Sequence, residues 1–200
     1  GITPSAGKIE SARQNLDIAI HVLIRPRAGD FLYNGIEYDI MRRDIERCGE
    51  AGVDGIVTGI LTQEGNIDIE RTARLIEEAR PMSVTFHRAF DMCSDPFRGI
   101  EDVIASGADR LLTSGQKNDA LSGAALIAEL AGKAGSRLII MPGGGLNVSN
   151  IKKVAEITGV SEFHMTGRKS TDSQMTFRRS GITMGGITPA DEFSMKTADQ

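Results

Sequence analysis

One joint between a helix and a strand recurs four times along this chain, and it constrains the fold more than any other feature. A helical pattern ends at a glycine, a short polar step follows, and a strand-like run begins; the glycines are Gly52, Gly107, Gly135 and Gly159. Glycine in this place is typical of a left-handed helix C-cap. Repetition of the same joint indicates a βα unit used several times, and hence a parallel sheet with helices outside it.

Six apolar runs are predicted to be the strands of these units, with amphipathic helical patterns between them. They are IAIHVLIRP from Ile18, GIVTGIL from Gly55, SVTFHRAF from Ser83, RLLTSG from Arg110, RLIIMPGG from Arg137 and EFHMTG from Glu162. The first helix is expected to begin at Pro4, with Thr3 as its N-cap. We predict a single βα domain over residues 1–200, in which residues 170–200 form an irregular C-terminal segment.

An open doubly wound sheet and a closed βα-barrel both contain such units, and the polar residues separate the two. A dinucleotide-binding sheet carries its glycine-rich turn after the first strand, whereas here three glycines follow the fifth. Polar residues also gather at the C-terminal ends of nearly all the strands, as in the active sites of βα-barrels. We therefore predict a TIM (β/α)8 barrel. Six strands are found where eight are needed, and Gly1 opens in a connection. Either the first two strands are absent from this chain, which we expect, or the fold is not closed.

The run IIMPGGGLNVSNI, from Ile139 to Ile151, predicts an anion-binding loop. Gly143, Gly144 and Gly145 leave the backbone bare, so their amides can approach a ligand closely. Asn147 is expected to start a helix whose N-terminus favours negative charge. Gly167 and Arg168, after the following strand, are predicted to complete the site, since βα-barrels commonly hold phosphate in the loops of their last strands. The alternative is a turn that needs glycine only for its geometry.

Three residues at strand ends are the catalytic candidates: Arg25, His87 and Asp91. Alternation along TFHRAFD places His87 and Asp91 on the inward face, where a histidine–carboxylate pair could perform general acid–base chemistry. A structural ion-pair cluster at the barrel rim is the alternative. Arg25 is a candidate anion ligand, whereas His21, early in its strand, is expected to be structural.

Composition excludes several classes of function. The net charge of −4 over 200 residues argues against nucleic acid as a partner, and no run approaches the length of a membrane span. Two cysteines do not suggest a disulfide scaffold, which favours the cytoplasm. Cys93 lies near Met92 and His87, but no spacing typical of a metal site appears, so we predict no metal ligands among these residues.

Several motifs together resemble the CutC family, long described as copper homeostasis proteins. They are HVLIRPRAGDFLYN, DGIVTGILTQEGNIDIERTARLIEEA, VTFHRAFD, RLLTSGQ, IIMPGGGLN and EFHMTGRK, and they follow one another in order across nearly all of residues 1–190. The resemblance implies a TIM barrel, a cytoplasmic location, commonly a homo-oligomer, and copper as a candidate ligand. It also implies a strand, a helix and a second strand before GITPSAG, and a further helix after DEFSMKTADQ. The cysteines usually proposed as copper ligands lie on those absent strands, and neither Cys48 nor Cys93 occupies a matching position.

Two functions from different classes follow. The first is a copper homeostasis protein that binds copper directly, which rests on the resemblance. The second is a TIM-barrel enzyme acting on a small anionic or phosphorylated metabolite, which rests on the glycine loop, Arg25, Arg168 and the pair of His87 and Asp91.

Overall fold

Five parallel strands stand side by side in chain order, with no crossover in their sequence. They are β1 (His21–Leu23), β2 (Gly55–Thr58), β3 (Ser83–Phe86), β4 (Arg110–Thr113) and β5 (Ile139–Pro142). Their register is continuous, because His21 pairs with Gly55 and Gly55 pairs with Ser83. This computed structural model describes residues 1–179 and 194–198. The prediction of parallel strands in chain order, as in a βα-barrel, is confirmed for these five.

In the described part of the chain, six α-helices alternate with these strands. They are α1 (Ala6–Asn15), α2 (Gly35–Ala51), α3 (Ile69–Ala79), α4 (Pro96–Ala105), α5 (Ala124–Ala134) and α6 (Ile151–Thr158). Left-handed caps are confirmed at Gly52 and Gly159, where φ is 70° and 68°. None of the described helices combines the length and the apolar character that crossing a membrane would require.

The start of α1 differs from the prediction. Its N-cap is Ser5, so neither Thr3 nor Pro4 begins the helix. Thr3 instead continues the edge of the sheet: its amide donates to the carbonyl of Arg25 at 2.9 Å, and its hydroxyl accepts from the amide of Arg25 at 2.9 Å. The polar residue that looked like a helix cap therefore holds the end of the first strand.

The outward face of the sheet forms the core. Val22, Ile24 and Phe86 are buried and belong to one apolar cluster, together with Met41 and Ile45 of α2. The inward face carries the residues of opposite parity, as the alternation predicted. This separation places the polar side chains of the strand ends on the side away from the helices.

The last part of the chain departs from the prediction. The expected sixth strand is reduced to one parallel bridge between Gly143 and His164. The chain divides into two compact units, Gly1–His164 and Met165–Gln200, where one domain was predicted. Within the second unit, β6 (Arg168–Asp172) pairs antiparallel with β7 (Ser194–Ala198). The segment 170–200 was predicted to be irregular; residues 173–179 are irregular, whereas residues 170–172 and 194–198 lie in the two-stranded ribbon.

Candidate functional site

The glycine loop after β5 supplies two free amides. The Gly143 amide donates to the Thr113 carbonyl at 2.9 Å, so it continues the strand pairing and is not available. Gly144 and Gly145 have φ of 105° and 68°, a region that strongly favours glycine. Their amides have no partner among the described residues. Two of the three predicted glycines therefore remain candidates for anion binding.

The helix after this loop begins later than predicted. Its N-cap is Asn150, and α6 starts at Ile151. Asn147 instead forms a turn in which its side-chain oxygen accepts from the amide of Ser149 at 2.9 Å. The side-chain amides of Asn147 and Asn150 both donate to the carbonyl of Gly145, at 3.2 and 2.9 Å. These bonds fix the carbonyl side of the loop and leave its amide side free.

The guanidinium of Arg88 lies against Gly144. A Cβ on Gly144 would stand 3.1 Å from Nη1 of Arg88 and 3.3 Å from Cζ. Nε of Arg88 donates to Asp91 at 2.7 Å and Nη2 donates to the hydroxyl of Ser114 at 2.6 Å, while Nη1 bonds to none of the described residues. The side chain is 41% exposed. A fixed guanidinium with one free nitrogen beside Gly144, in a loop that has two free amides, is an arrangement suited to an oxyanion.

Sequence reasoning missed Arg88 as a site residue. Strict alternation assigns it to the face opposite His87, among the core residues. The structure ends β3 at Phe86 and turns the chain into a short 3-10 helix, Arg88–Met92, which breaks that alternation. The adjacency of Arg88 to a polar strand end was the signal that could have identified it.

Asp91 positions Arg88 and is not the partner of His87. Its carboxylate accepts from Arg88, from the Thr113 hydroxyl at 2.5 Å and from the Ser114 amide at 3.0 Å. The side chain is 7% exposed. The predicted histidine–carboxylate pair is therefore wrong: the carboxylate is committed to the β3 and β4 loops, which matches the alternative of an ion-pair cluster at the rim.

His87 is buried and neutral. Its Nδ1 accepts from the amide of Ala89 at 3.1 Å, and its Nε2 has no hydrogen-bond partner among the described residues. The ring lies 5.0 Å from the ring of Phe31 and 6.1 Å from that of Phe86. Burial lowers the pKa of His87 to about 4, and the charge of Arg25 adds to the effect. The imidazole consequently carries its proton on Nε2, as a hydrogen-bond donor.

Arg25 holds the loop after β1. Its Nη1 donates to the Gly1 carbonyl at 3.0 Å, its Nη2 donates to the Gly29 carbonyl at 2.6 Å, and its Cζ lies 4.7 Å from the centre of the Phe31 ring. The terminal nitrogens predicted to bind an anion are thus occupied. Nε is buried and has no partner within the part of the chain that the structure describes.

Gly167 and Arg168 lie in the second unit, where Arg168 opens β6 and pairs with Ala198. β6 belongs to an antiparallel ribbon, so Arg168 does not follow a sixth parallel strand as predicted. Participation of Gly167 and Arg168 in anion binding stays a prediction.

The described residues contain no group of three His, Cys, Asp or Glu side chains that could hold a metal ion. Cys48 and Cys93 are both free and buried. Burial raises the pKa of each thiol to about 11, which disfavours the thiolate that metals bind. Burial also lowers the pKa values of His21 and His164.

Comparison with known proteins agrees with this architecture. The CutC family matches residues 1–169. A CutC family protein of Chromobacterium violaceum is 48% identical over 97% of this chain and 78% of its own length. The mouse relative, named copper homeostasis protein cutC homolog, is 43% identical over 100% of this chain and 73% of its own length.

Solved structures give the same result. The crystal structure of CutC from Streptococcus agalactiae superposes with a TM-score of 0.78 at 37% identity, covering 82% of this chain and 81% of that one. An aldolase named QR15 superposes with a TM-score of 0.64 at 11% identity over 79% of this chain and 73% of its own, which shows a shared fold alone. The motif resemblance and the barrel prediction are both confirmed, and this chain belongs to the CutC family.

Proposed function

We propose that this protein, whose mouse relative is named a copper homeostasis protein, binds and acts on a small anionic, phosphorylated metabolite at the C-terminal ends of its strands. The observation that carries the proposal is the contact of Arg88 with Gly144. A guanidinium held by Asp91 and Ser114 presents its free Nη1 beside Gly144, in a loop whose Gly144 and Gly145 amides are free.

The donors at this place suit a phosphoryl group. Arginine binds phosphate oxygens through planar, directed hydrogen bonds, and backbone amides add donors that carry no side-chain entropy. The loops of the last strands are also where βα-barrels commonly hold phosphate. Asp91 makes the arrangement rigid, since its carboxylate fixes the Arg88 side chain before any ligand arrives.

Calorimetry with inorganic phosphate tests this site. Arg88→Ala should weaken phosphate binding roughly tenfold to a hundredfold if the contact is charge-assisted, and Arg88→Lys should restore part of it. Arg74→Ala removes an arginine whose side chain is 62% exposed on α3 and serves as the control. Thermal melts of each variant separate loss of binding from loss of folding. Equal phosphate affinity in the wild type and the Arg88→Ala variant would contradict the proposal.

Direct binding of copper is the second candidate, and it rests on the names of the relatives. We expect no tight Cu(I) site among the described residues, because both thiols are buried and protonated. Competition against a Cu(I) chelator measures this. Stoichiometric binding that is abolished by Cys93→Ala would establish the carrier function.

A cytoplasmic location and a homo-oligomer also belong to the proposal. The low cysteine content favours a reducing compartment, and the homo-oligomer follows from the family resemblance. Cell fractionation tests the first, and light scattering of the purified protein tests the second.

A further inference from the structure

Three residues form one row across the ends of β1, β2 and β3. The register that pairs Leu23 with Val57, and Val57 with Thr85, continues two residues further to Arg25, Gly59 and His87. Gly59 has no side chain, and a Cβ there would stand 2.7 Å from Nδ1 of His87. The imidazole therefore occupies the space above β2, between its own strand and Arg25. We call this set of residues the rim row.

The rim row contains buried N–H donors that have no hydrogen-bond acceptor of ordinary geometry among the described residues. His87 is 5% exposed, and because Nδ1 accepts from the amide of Ala89, its proton lies on Nε2, which has no partner. Nε of Arg25 and the hydroxyl of Tyr33, a buried residue next to the rim row, make no hydrogen bond of ordinary geometry, although the Arg25 side chain interacts with the Tyr33 hydroxyl. Each statement holds for the residues that the structure describes. A buried donor without an acceptor destabilises the folded protein, so a ligand that supplies the acceptor would explain why these donors are there.

We propose that the rim row is a subsite for a carbonyl or carboxylate oxygen of the phosphorylated ligand whose phosphoryl group Arg88 binds. This inference rests on the proposed function and names its substrate class: a small phosphorylated acid or carbonyl compound.

The chemistry of the rim row selects such an oxygen. His87 and Arg25 offer only N–H donors, and a negatively charged or polarised oxygen is the complementary acceptor. Burial lowers the pKa of His87 to about 4, so the imidazole stays a neutral donor near pH 7. His87 and Arg88 are adjacent at the end of β3, so a ligand with two acceptor groups is the probe that tests whether both residues serve one molecule.

Phe31 covers the rim row. Its ring lies 5.0 Å from the ring of His87 and 4.7 Å from Cζ of Arg25. A ligand oxygen reaches Nε2 only when this ring turns away. Phe31 has room to do so, because it borders a groove of about 540 Å³ that Leu32, Leu61 and Met92 also line. Closure of Phe31 over the bound oxygen would then exclude water and strengthen the hydrogen bonds.

The experiment compares two probes by calorimetry: phosphoglycolate, which has a phosphate and a carboxylate, and ethyl phosphate, which lacks the carboxylate. The wild type should bind phosphoglycolate at least about tenfold more tightly. His87→Phe should abolish that preference and leave the affinity for ethyl phosphate unchanged. His21→Phe, at the opposite end of the same sheet, is the matched control. Tyr33→Phe removes the hydroxyl that interacts with Arg25 and is expected to fold. It should reduce the preference for phosphoglycolate, and it provides the test if His87→Phe does not yield folded protein.

The outcomes distinguish the two proposals. Binding of ethyl phosphate that Arg88→Ala weakens, with no preference for phosphoglycolate, overturns the rim-row inference and leaves the proposed function standing. A preference that survives both His87→Phe and Tyr33→Phe also overturns the inference. Failure of the wild type to bind either probe overturns the proposed function itself.

Discussion

The imidazole of His87 fills the space that a side chain on Gly59 would need. A Cβ at Gly59 would stand 2.7 Å from Nδ1 and 2.9 Å from Cε1 of His87, and 3.1 Å from the ring of Phe86. Gly59 has no positive φ, so its lack of a side chain, and not its backbone freedom, is what the structure uses. The position of the histidine in one strand thus depends on a glycine in its neighbour.

Gly59→Ala should destabilise the protein by roughly 1–3 kcal/mol, because the added methyl group overpacks a site that has no room to give. The control is Gly132→Ala in α5, where a Cβ would meet nothing within 4 Å. That change should raise helix propensity and stabilise the fold by about 1 kcal/mol. Urea unfolding of both variants measures the difference. A Gly59→Ala variant as stable as the wild type would show that the imidazole can move.

The pH dependence of stability should report the buried His87. An unfolded histidine binds a proton below pH 6.5, whereas the folded His87 does so only near its pKa of about 4. Lowering the pH from 6.5 towards 4 therefore favours unfolding, because only the unfolded histidine gains a proton. The stability that neutral His87 contributes is complete above pH 6.5 and is lost progressively as the pH falls. Between pH 7 and pH 5 the contribution of this residue should fall by roughly 2 kcal/mol.

Urea unfolding at pH 7 and pH 5 for the wild type and His87→Phe measures that contribution. The variant should lose less stability on acidification, and the difference isolates His87 because His21 and His164 are present in both proteins. Identical pH dependence would show that His87 is solvated, against its burial among Phe31 and Phe86.

Five of the six strands and the parallel order of the sheet were predictable, because local signals agree with each other there. Glycine caps, apolar runs and helical periodicity all indicate the same βα unit. The errors lie where a local signal competes with a tertiary contact. Thr3 resembles a helix cap, but its hydrogen bonds go to Arg25 across the sheet edge.

The sequence predicted where the candidate site lies, but not which residues pair with each other within it. Alternation brought His87 and Asp91 to the same strand end, yet the chain turns into a 3-10 helix at Arg88, and the carboxylate turns to Thr113 and Ser114. A period-two pattern carries no information about where a strand stops. Thr113 and Ser114 lie more than twenty residues from Asp91 in the sequence, so no local rule could have assigned them as its partners.

Asp91→Ala should act mainly on stability. It removes a carboxylate that is 7% exposed and leaves the Ser114 amide and Thr113 hydroxyl without their acceptor. We expect a loss of roughly 3 kcal/mol, measured by urea unfolding. Asp30→Ala, at a side chain that is 71% exposed, should remain close to the wild type. An Asp91→Ala variant as stable as the wild type would contradict this structural role.

The two thiols should react slowly in the folded protein. Cys48 is 0% and Cys93 7% exposed, and burial raises both pKa values to about 11. The thiolate is the reactive species, so a rise from the usual value of 9 lowers its population roughly a hundredfold. Reaction with a chromogenic disulfide should be rapid in denaturant and far slower without it. A fast phase in the folded protein that Cys93→Ala removes would reveal an accessible thiol and strengthen the copper candidate.

Gly144→Ala separates the two roles that a glycine in the loop after β5 can have. The residue has φ of 105°, which strains any side chain, and a Cβ would stand 3.1 Å from Nη1 of Arg88. Alanine should therefore cost about 1 kcal/mol or more of stability through the backbone, and it should also displace the guanidinium from the anion site. Gly159 is the matched control: its φ is 68°, and a Cβ there would meet nothing within 4 Å.

Gly159→Ala should lose a similar amount of stability but bind inorganic phosphate as the wild type does. Gly144→Ala should bind phosphate at least about tenfold more weakly. Equal phosphate affinity in the two alanine variants would show that Gly144 is needed only for the geometry of the turn, which is the alternative given in the sequence analysis.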